Sequence, residues 1–220
     1  MLAAIRIANP WVKALSIALA ALAWAVAAHM ASANQGPSDW GVALALAPVV
    51  LALALALKSL PVRWLGILGT VVALAGLVAM WPWLRNRVAL LFLLEQVGCY
   101  ALLSVTFGRT LRGPGESLVT QMARKLHGGV LSSGQLAHSR NVTVAWSIFF
   151  AAMALSSVLL FLLAPTVVWS VFANLLGPPL IALMFVCEMI WRRWTLPDEA
   201  LSSIADVVRA WKLHNTKNPP

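Results

Sequence analysis

Apolar residues along this chain occur in long runs separated by short polar segments. Each run holds about 17 to 25 residues, the length an α-helix needs to cross roughly 30 Å of hydrocarbon. The pattern predicts about six transmembrane helices, at approximately 11–29, 40–57, 64–80, 88–107, 142–164 and 167–190. We therefore expect an all-α fold, a polytopic helical bundle that forms a single integral membrane domain over 1–220.

The composition agrees with this prediction. Hydrophobic residues make up 61% of the chain and charged residues 10%, against roughly 45–50% and about 25% in soluble domains. The net charge of +9 would fit a nucleic-acid partner only if a soluble domain carried it, and the pattern leaves no room for one. We therefore expect no nucleic-acid partner and interpret the charge as a topology signal.

Basic residues indicate the orientation, because Lys and Arg near membrane spans stay on the cytoplasmic side. With both termini in the cytoplasm, only Arg85 and Arg87 of the sixteen Lys and Arg residues face the other side. An alternative stays open for the first span: Arg6 and Lys13, followed by an Ala-rich run and Ala31-Ser32-Ala33, resemble a cleavable secretory signal.

Two segments outside the spans have the pattern of helices lying on the cytoplasmic membrane surface. The first begins near Pro114 and ends at Gly128-Gly129, with Leu118, Met122 and Leu126 on one face. The second forms the tail, 195–220, and begins at Pro197. Each could contact lipid or a cytoplasmic enzyme.

Glu95 is the most informative residue of the spans, because an ionisable group in hydrocarbon is costly and usually faces a polar interior. Helical spacing puts Glu95, Cys99, Leu102, Thr106 and Arg109 on one face, which could line a cavity or a proton path. The alternative is a protonated Glu95 that holds a neighbouring helix by hydrogen bonding, with help from Gln96.

A polar pocket on the cytoplasmic side is a second possibility, with room for an anionic headgroup or an acyl intermediate. Its candidate residues are Glu95, Arg109, Arg140, Asn141 and Glu188. Glu188 also precedes Arg192 by four residues, so a purely structural ion pair within one helix is the alternative.

The last span contains Asn174 and Gly177-Pro178-Pro179, and proline removes a backbone donor and clashes with the preceding turn. We therefore expect this span to be kinked or interrupted, as at transporter sites but also in passive scaffolds. Cys99 and Cys187 lie inside apolar runs and are interpreted as packing residues.

Familiar catalytic motifs are absent from the sequence, including the P-loop, G-x-G-x-x-G, H-E-x-x-H and the nucleophile elbow. His127 and His138 lack the acidic residue of an H-x-x-x-x-D acyltransferase motif, and His29 and His214 lack partners for a metal site. We expect no cofactor and no metal, and the sequence favours a protein that is not an enzyme.

From Glu95 onward the chain resembles a family of bacterial inner-membrane proteins associated with aryl-polyene or fatty-acid-like biosynthetic clusters. The motifs that carry the resemblance are F-G-R-T-L at 107–111, G-P-G-E at 113–116, M-A-R at 122–124, R-N-V-T at 140–143, W-S-I-F-F at 146–150 and E-M-I-W-R-R at 188–193. The arrangement is more distantly similar to the intracellular septation protein A family. The resemblance implies a bacterial inner-membrane location and a role beside acyl-chain or envelope-lipid synthesis.

Three functions follow as hypotheses. The first is a non-enzymatic accessory protein of envelope-lipid or acyl/polyene biosynthesis, acting as a scaffold or handling the product, with membrane lipids and cytoplasmic enzymes as partners through loop 109–140 and the tail. The second is a small lipid or solute transporter using Glu95 and the kinked last span. The third is a membrane acyl- or glycosyl-transferase with an unrecognised site.

Overall fold

The computed structural model describes residues 10–34, 36–58, 63–113, 115–126 and 131–196, and within these ranges every regular element is a helix. In chain order the elements are α1 (Pro10–Ala33), α2 (Asp39–Lys58), α3 (Arg63–Leu84), α4 (Val88–Arg109), α5 (Leu118–Leu126), α6 (Ser133–Leu163), α7 (Thr166–Ser170), a π-helical segment (Val171–Leu176) and α8 (Gly177–Thr195). The predicted all-α helical bundle is confirmed.

Five helical stretches are long and apolar enough to cross a membrane: α1, α3, α4, α6 and the stretch from α7 to α8. Large apolar side chains on these helices point outward, such as Val78 at 72% exposure and Leu163 at 82%. Outward-facing apolar surface on this scale belongs in lipid, since soluble monomers rarely expose large contiguous patches. The chain is therefore a membrane protein.

The sixth predicted span corresponds to α2, which is apolar over Asp39–Leu55 and contains Pro48. Two contacts fix where it begins: Ser38 N donates to Arg85 O at 3.0 Å, and Arg85 Nε lies 3.5 Å from Asp39 Oδ1. The start of α2 therefore meets the end of α3. The apolar part of α2 is shorter than that of the five spanning stretches, so a sixth crossing stays a prediction.

Helix α6 begins at Ser133, nine residues before the predicted start at 142. Ser132 Oγ accepts from Gln135 N at 3.1 Å, and Gln135 Oε1 accepts from Ser132 N at 3.0 Å. This reciprocal pair is a capping box, which satisfies backbone donors that a helix start leaves open. The prediction began too late because it followed hydropathy, and the first turns of α6 are polar.

The first predicted surface helix is present as α5, four residues later than the predicted start near Pro114. Ser117 precedes it, and Ser117 Oγ is hydrogen-bonded to Thr120 Oγ1 at 2.7 Å. The predicted tail helix from Pro197 lies outside the described residues.

The last span is interrupted, as predicted, but the irregular part precedes the prolines. The π-helical segment Val171–Leu176 contains Asn174 and joins directly to α8 at Gly177. Pro178 and Pro179 have no N–H to offer the carbonyls one turn earlier, so the α-helical bonding pattern cannot continue through them. The π-helical segment, whose turns are wider than those of an α-helix, is where the backbone accommodates this break in the hydrogen-bonding pattern.

The described residues form two compact units. The first takes in residues up to Val97 and Ser156–Pro178, and its core is built by the following side chains: Ala28, Ala31, Val42, Ala45, Leu84, Val88, Phe92, Leu93 and Trp169. The second comprises Gly98–Leu155 and the chain from Pro179. One membrane domain over 1–220 stays a prediction.

In the second unit, α4 and α6 approach closely. Ser104 and Ser147 each donate from Oγ to the other's carbonyl oxygen at 2.9 Å. A Cβ atom at Gly108 would lie 3.0 Å from Ser147 Oγ, so even an alanine there would require the Ser147 hydroxyl group to shift. Such small-residue contacts are the usual way that helices associate in lipid.

Candidate functional site

Glu188 lies in α8, and Trp146 of α6 donates from Nε1 to its Oε2 at 2.7 Å. Trp146 is buried among aromatic rings, with its centroid 4.6 Å from that of Phe185 and 5.3 Å from that of Phe150. Among the described residues, Glu188 forms no ion pair with Arg192. The predicted ion pair within one helix is therefore replaced by a hydrogen bond between helices.

A polar cleft lies between α5, α6 and α8. Its volume is about 40 Å³, and its lining consists of Val119, Ala123, Gln135, His138, Ser139, Val142, Glu188, Arg192 and Leu196. His138 is buried, its Nδ1 is hydrogen-bonded to Thr195 Oγ1 at 2.9 Å, and its ring meets Trp191 edge-to-face at 5.3 Å. A cation, a carboxylate and an imidazole thus share one small cleft.

An apolar cleft of about 170 Å³ adjoins the polar one, because Val142 and Glu188 line both. The rest of its lining is Ala145, Met184, Cys187 and Trp191. Aliphatic, sulfur and aromatic surface of this kind contacts hydrocarbon favourably. The two clefts together present a polar end and an apolar end, with Glu188 at the boundary.

Of the residues predicted from sequence to form the pocket, Glu188 alone lines these clefts. Arg140 is exposed and directs Nη2 to Leu111 O at 3.5 Å, while Asn141 and Arg109 are exposed. Helix geometry explains this result. His138, Ser139 and Val142 turn toward α8, so the residues between them face elsewhere.

Gln135, His138 and Arg192 line the polar cleft but were not among the residues predicted to form the pocket. Gln135, His138 and Val142 are spaced i, i+3 and i+7, which puts them on one helical face. That face would have been visible had the start of α6 been recognised from its capping box.

Glu95 belongs to the first unit. Its Oε1 is buried and has no hydrogen-bond partner in the described part of the chain. The other residues of its predicted face are exposed: Cys99, Leu102, Thr106 and Arg109. From Cys99 onward, this face therefore does not line an interior path. The interhelical bonds are instead made by Gln96.

Gln96 connects three helical elements. Its Nε2 donates to Ala173 O at 3.0 Å, and its Oε1 accepts from Ser157 Oγ at 2.6 Å. Trp169 Nε1 in turn donates to Ser157 Oγ at 3.0 Å, and the Trp169 side chain is fully buried. This chain of bonds holds α4, α6, α7 and the π-helical segment together in a region where lipid offers no replacement hydrogen bonds.

A second polar network fastens the π-helical segment to α1. Ser170 Oγ is 2.8 Å from His29 Nδ1 and 2.7 Å from Ser32 Oγ, and Asn174 Nδ2 donates to Ser32 Oγ at 3.0 Å. His29, which received no role from the sequence, is therefore part of the packing of the interrupted span.

Hydroxyl groups attach the start of helix α5 to neighbouring parts of the second unit. Thr143 Oγ1 donates to Ser117 Oγ at 3.1 Å, and Leu118 N donates to Thr110 Oγ1 at 3.0 Å. Glu116 and Arg124 form an ion pair, with Arg124 Nε donating to Glu116 Oε2 at 2.9 Å. This hydrogen bond lowers the pKa of the Glu116 carboxyl.

Comparison of the chain with protein-family models, curated proteins and solved structures finds no match. The resemblance to the inner-membrane family of acyl and polyene clusters thus rests on the sequence motifs alone and stays a prediction. The clefts around Glu188 are the feature of the second unit that bears on function.

Proposed function

We propose that this protein is a non-enzymatic accessory component of the bacterial inner membrane that binds an acyl-chain lipid, or a lipid-like biosynthetic intermediate, on its cytoplasmic side. The observation that carries the proposal is the pair of adjoining clefts, one polar and one apolar, that share Glu188 and Val142. A ligand with a polar head and a hydrocarbon chain matches this division.

The apolar cleft offers a hydrocarbon chain an apolar surface to lie against. Each methylene group removed from water contributes about 0.8 kcal/mol, but the competing environment here is lipid, so shape and the polar head must provide the preference. Arg192 offers a fork of donors to a phosphate or carboxylate, and Glu188 at the boundary accepts from a hydroxyl or amine. An acyl chain with an anionic or hydroxylated head fits this arrangement.

The polar cleft also faces α5, which contributes Val119 and Ala123. Arg124 and Lys125 stand at the end of the same helix, and basic residues at a membrane surface attract anionic headgroups or acidic partners at about 1 kcal/mol each. A soluble biosynthetic enzyme could therefore reach the ligand from this side. The same arrangement serves a scaffold and a protein that handles the product.

A matched pair of cysteines provides the test. Cys187 lines the apolar cleft, Cys99 does not, and both are exposed. The purified protein in lipid nanodiscs is exposed to a phospholipid with a photoactivatable acyl chain, and labelled peptides are identified by mass spectrometry. We expect labelling between 184 and 191, and a reduction of about tenfold in Cys187→Phe but not in Cys99→Phe.

Equal labelling of both variants would refute binding in this cleft.

Glu188→Gln keeps an oxygen that can accept from Trp146 but removes the charge, so it separates the packing role of Glu188 from its contact with the lipid head. We expect this variant to fold normally and to change which headgroup is retained.

A transporter is the second candidate function, favoured by the unpartnered Glu95 Oε1 and by the π-helical interruption of the last span. Discontinuous helices and intramembrane carboxyl groups recur at transport sites. The discriminating variant is Glu95→Gln in proteoliposomes. Loss of substrate movement with unchanged photolabelling would favour transport, whereas unchanged behaviour in both assays would leave the accessory function.

A further inference from the structure

A separate cavity of about 210 Å³ lies in the first unit, at the ends of helices that the sequence places on the extracytoplasmic side. Its lining consists of Asn34, Gly36, Asn86, Arg87, Val88, Ala89 and Thr166. Three connections meet there: the segment after α1, the turn between α3 and α4, and the start of α7. The cavity has no residue in common with the clefts around Glu188, so its function is independent of the lipid site proposed above.

Arg87 is the single charged residue of this lining. Its neighbour Arg85 is paired with Asp39 at 3.5 Å, and Asp39 also accepts from Trp81 Nε1 at 2.9 Å. Within the described residues, Arg87 forms no ion pair; its guanidinium carbon lies 4.9 Å from the centroid of the Trp83 ring. Arg87 is exposed, so the lining of the cavity carries a positive charge that no acidic residue in the described part of the chain neutralises.

The position of this charge is unusual for the chain. Arg85 and Arg87 are the two of sixteen Lys and Arg residues that the topology puts on the extracytoplasmic side, against the bias that retains basic residues in the cytoplasm. The Arg85–Asp39 ion pair gives Arg85 a structural role at the start of α2. Arg87 has no acidic partner among the residues that the structure describes, so its charge is available to a ligand.

Neutral polar residues share the lining of the cavity with Arg87. Asn34 Oδ1 accepts from Gly36 N at 3.2 Å, which leaves the Asn34 amide group as a donor, and Asn86 is held by donation to Pro82 O at 2.7 Å. Thr166 adds a hydroxyl group. The first backbone N–H groups of α4, at Val88 and Ala89, add further positive potential to that of Arg87.

We propose that this cavity binds a phosphate group. Arg donates through a planar fork that matches two phosphate oxygens, and such charge-assisted bonds are stronger than neutral ones. The amide and hydroxyl groups are suited to the remaining oxygens. The phosphate belongs either to the headgroup of a lipid in the outer leaflet or to a free phosphate ion, because both present the same oxygens to Arg87.

The experiment compares Arg87→Gln with Arg85→Gln in the purified full-length protein. Arg85→Gln is the control: it removes the same charge at a position two residues away, and the Arg85 side chain does not line the cavity.

In the first arm, inorganic phosphate is titrated against protein in a neutral detergent by isothermal calorimetry. In the second arm, native mass spectrometry measures retention of phosphatidylglycerol against an uncharged diacylglycerol. Asn34→Asp serves as a second variant, since it adds a repelling charge to the cavity without changing its size.

We expect Arg87→Gln and Asn34→Asp to weaken phosphate or phosphatidylglycerol binding about tenfold, and Arg85→Gln to change it less than about twofold. Binding in the calorimetric arm identifies a free phosphate site, and binding in the mass-spectrometric arm alone identifies a headgroup site. The proposal is overturned if neither ligand binds, or if Arg87→Gln and Asn34→Asp bind both as the unmodified protein does.

Discussion

Glu188 is bonded to Trp146 of another helix rather than to Arg192 one turn along its own. Sequence spacing identifies partners within a helix, since residues four apart share a face. It cannot identify a partner that packing brings from elsewhere in the chain. The same limit applies to Glu95, whose predicted role in holding a neighbouring helix belongs to Gln96.

Ser157 provides a test of these interhelical bonds. Ser157→Ala would leave the fully buried Trp169 Nε1 and the Gln96 Oε1 without their shared partner. We expect a loss of about 1–2 kcal/mol in unfolding free energy, at the upper end for hydrogen bonds inside a membrane. Titration with sodium dodecyl sulfate, followed by far-ultraviolet circular dichroism, measures it.

Ser156→Ala is the matched control, because Ser156 is the adjacent residue of the same helix and makes none of these bonds. The interpretation of the network is wrong if both alanine variants unfold at the same detergent concentration as the unmodified protein.

At the scale of elements, the helices themselves were accessible from the sequence because lipid imposes length and hydropathy together. The polar ends of the helices could not be predicted in this way. The first nine residues of α6 escaped prediction although Ser132 and Gln135 form a recognisable capping box. The π-helical segment could be predicted as an interruption from Pro178 and Pro179, but its exact place depends on the bonds that Ser170 and Asn174 make with α1.

The attachment of α5 should depend on pH through Glu116. Because Arg124 lowers the Glu116 pKa below its ordinary value of 4.5, the contribution of this pair is complete above pH 4.5 and is lost as the pH falls through the lowered pKa. The pair is partly exposed and screened by solvent, so we expect a local rather than a global effect.

A nitroxide label at Lys125→Cys, with both native cysteines replaced by serine, reports this motion by electron paramagnetic resonance. We expect the label to become more mobile on acidification below pH 4.5. Glu116→Gln should give the mobile spectrum at neutral pH and no further change on acidification. A spectrum independent of pH in the presence of Glu116 would contradict the role assigned to the ion pair.

At the scale of the whole molecule, the number of crossings and the orientation stay predictions from hydropathy and from the basic residues. The contacts of Ser38 and Asp39 with Arg85 show that the start of α2 lies beside the end of α3. No sequence pattern could have supplied the assembly of His138, Glu188 and Arg192, because it joins two helices far apart in the chain.

Cysteine accessibility tests this topology. In a background with Cys99 and Cys187 replaced by serine, Pro37→Cys and Gly115→Cys each introduce one exposed thiol in a loop. We expect a membrane-impermeant maleimide to label Pro37→Cys in intact spheroplasts. Gly115→Cys should be labelled only after the spheroplasts are lysed. Labelling of both in intact spheroplasts, or the reverse pattern, would contradict six crossings with cytoplasmic ends.

The central claim is that the clefts around Glu188 handle an acyl-chain lipid, and the most direct measurement is a comparison of lipid extracts by mass spectrometry. Cells lacking the gene are complemented with the unmodified protein, with Cys187→Phe or with Cys99→Phe. We expect the deletion to change one class of acyl or polyene lipid, and the unmodified protein and Cys99→Phe to restore it while Cys187→Phe does not. Lipid extracts that are unchanged by the deletion, or restored equally by both phenylalanine variants, would contradict the account.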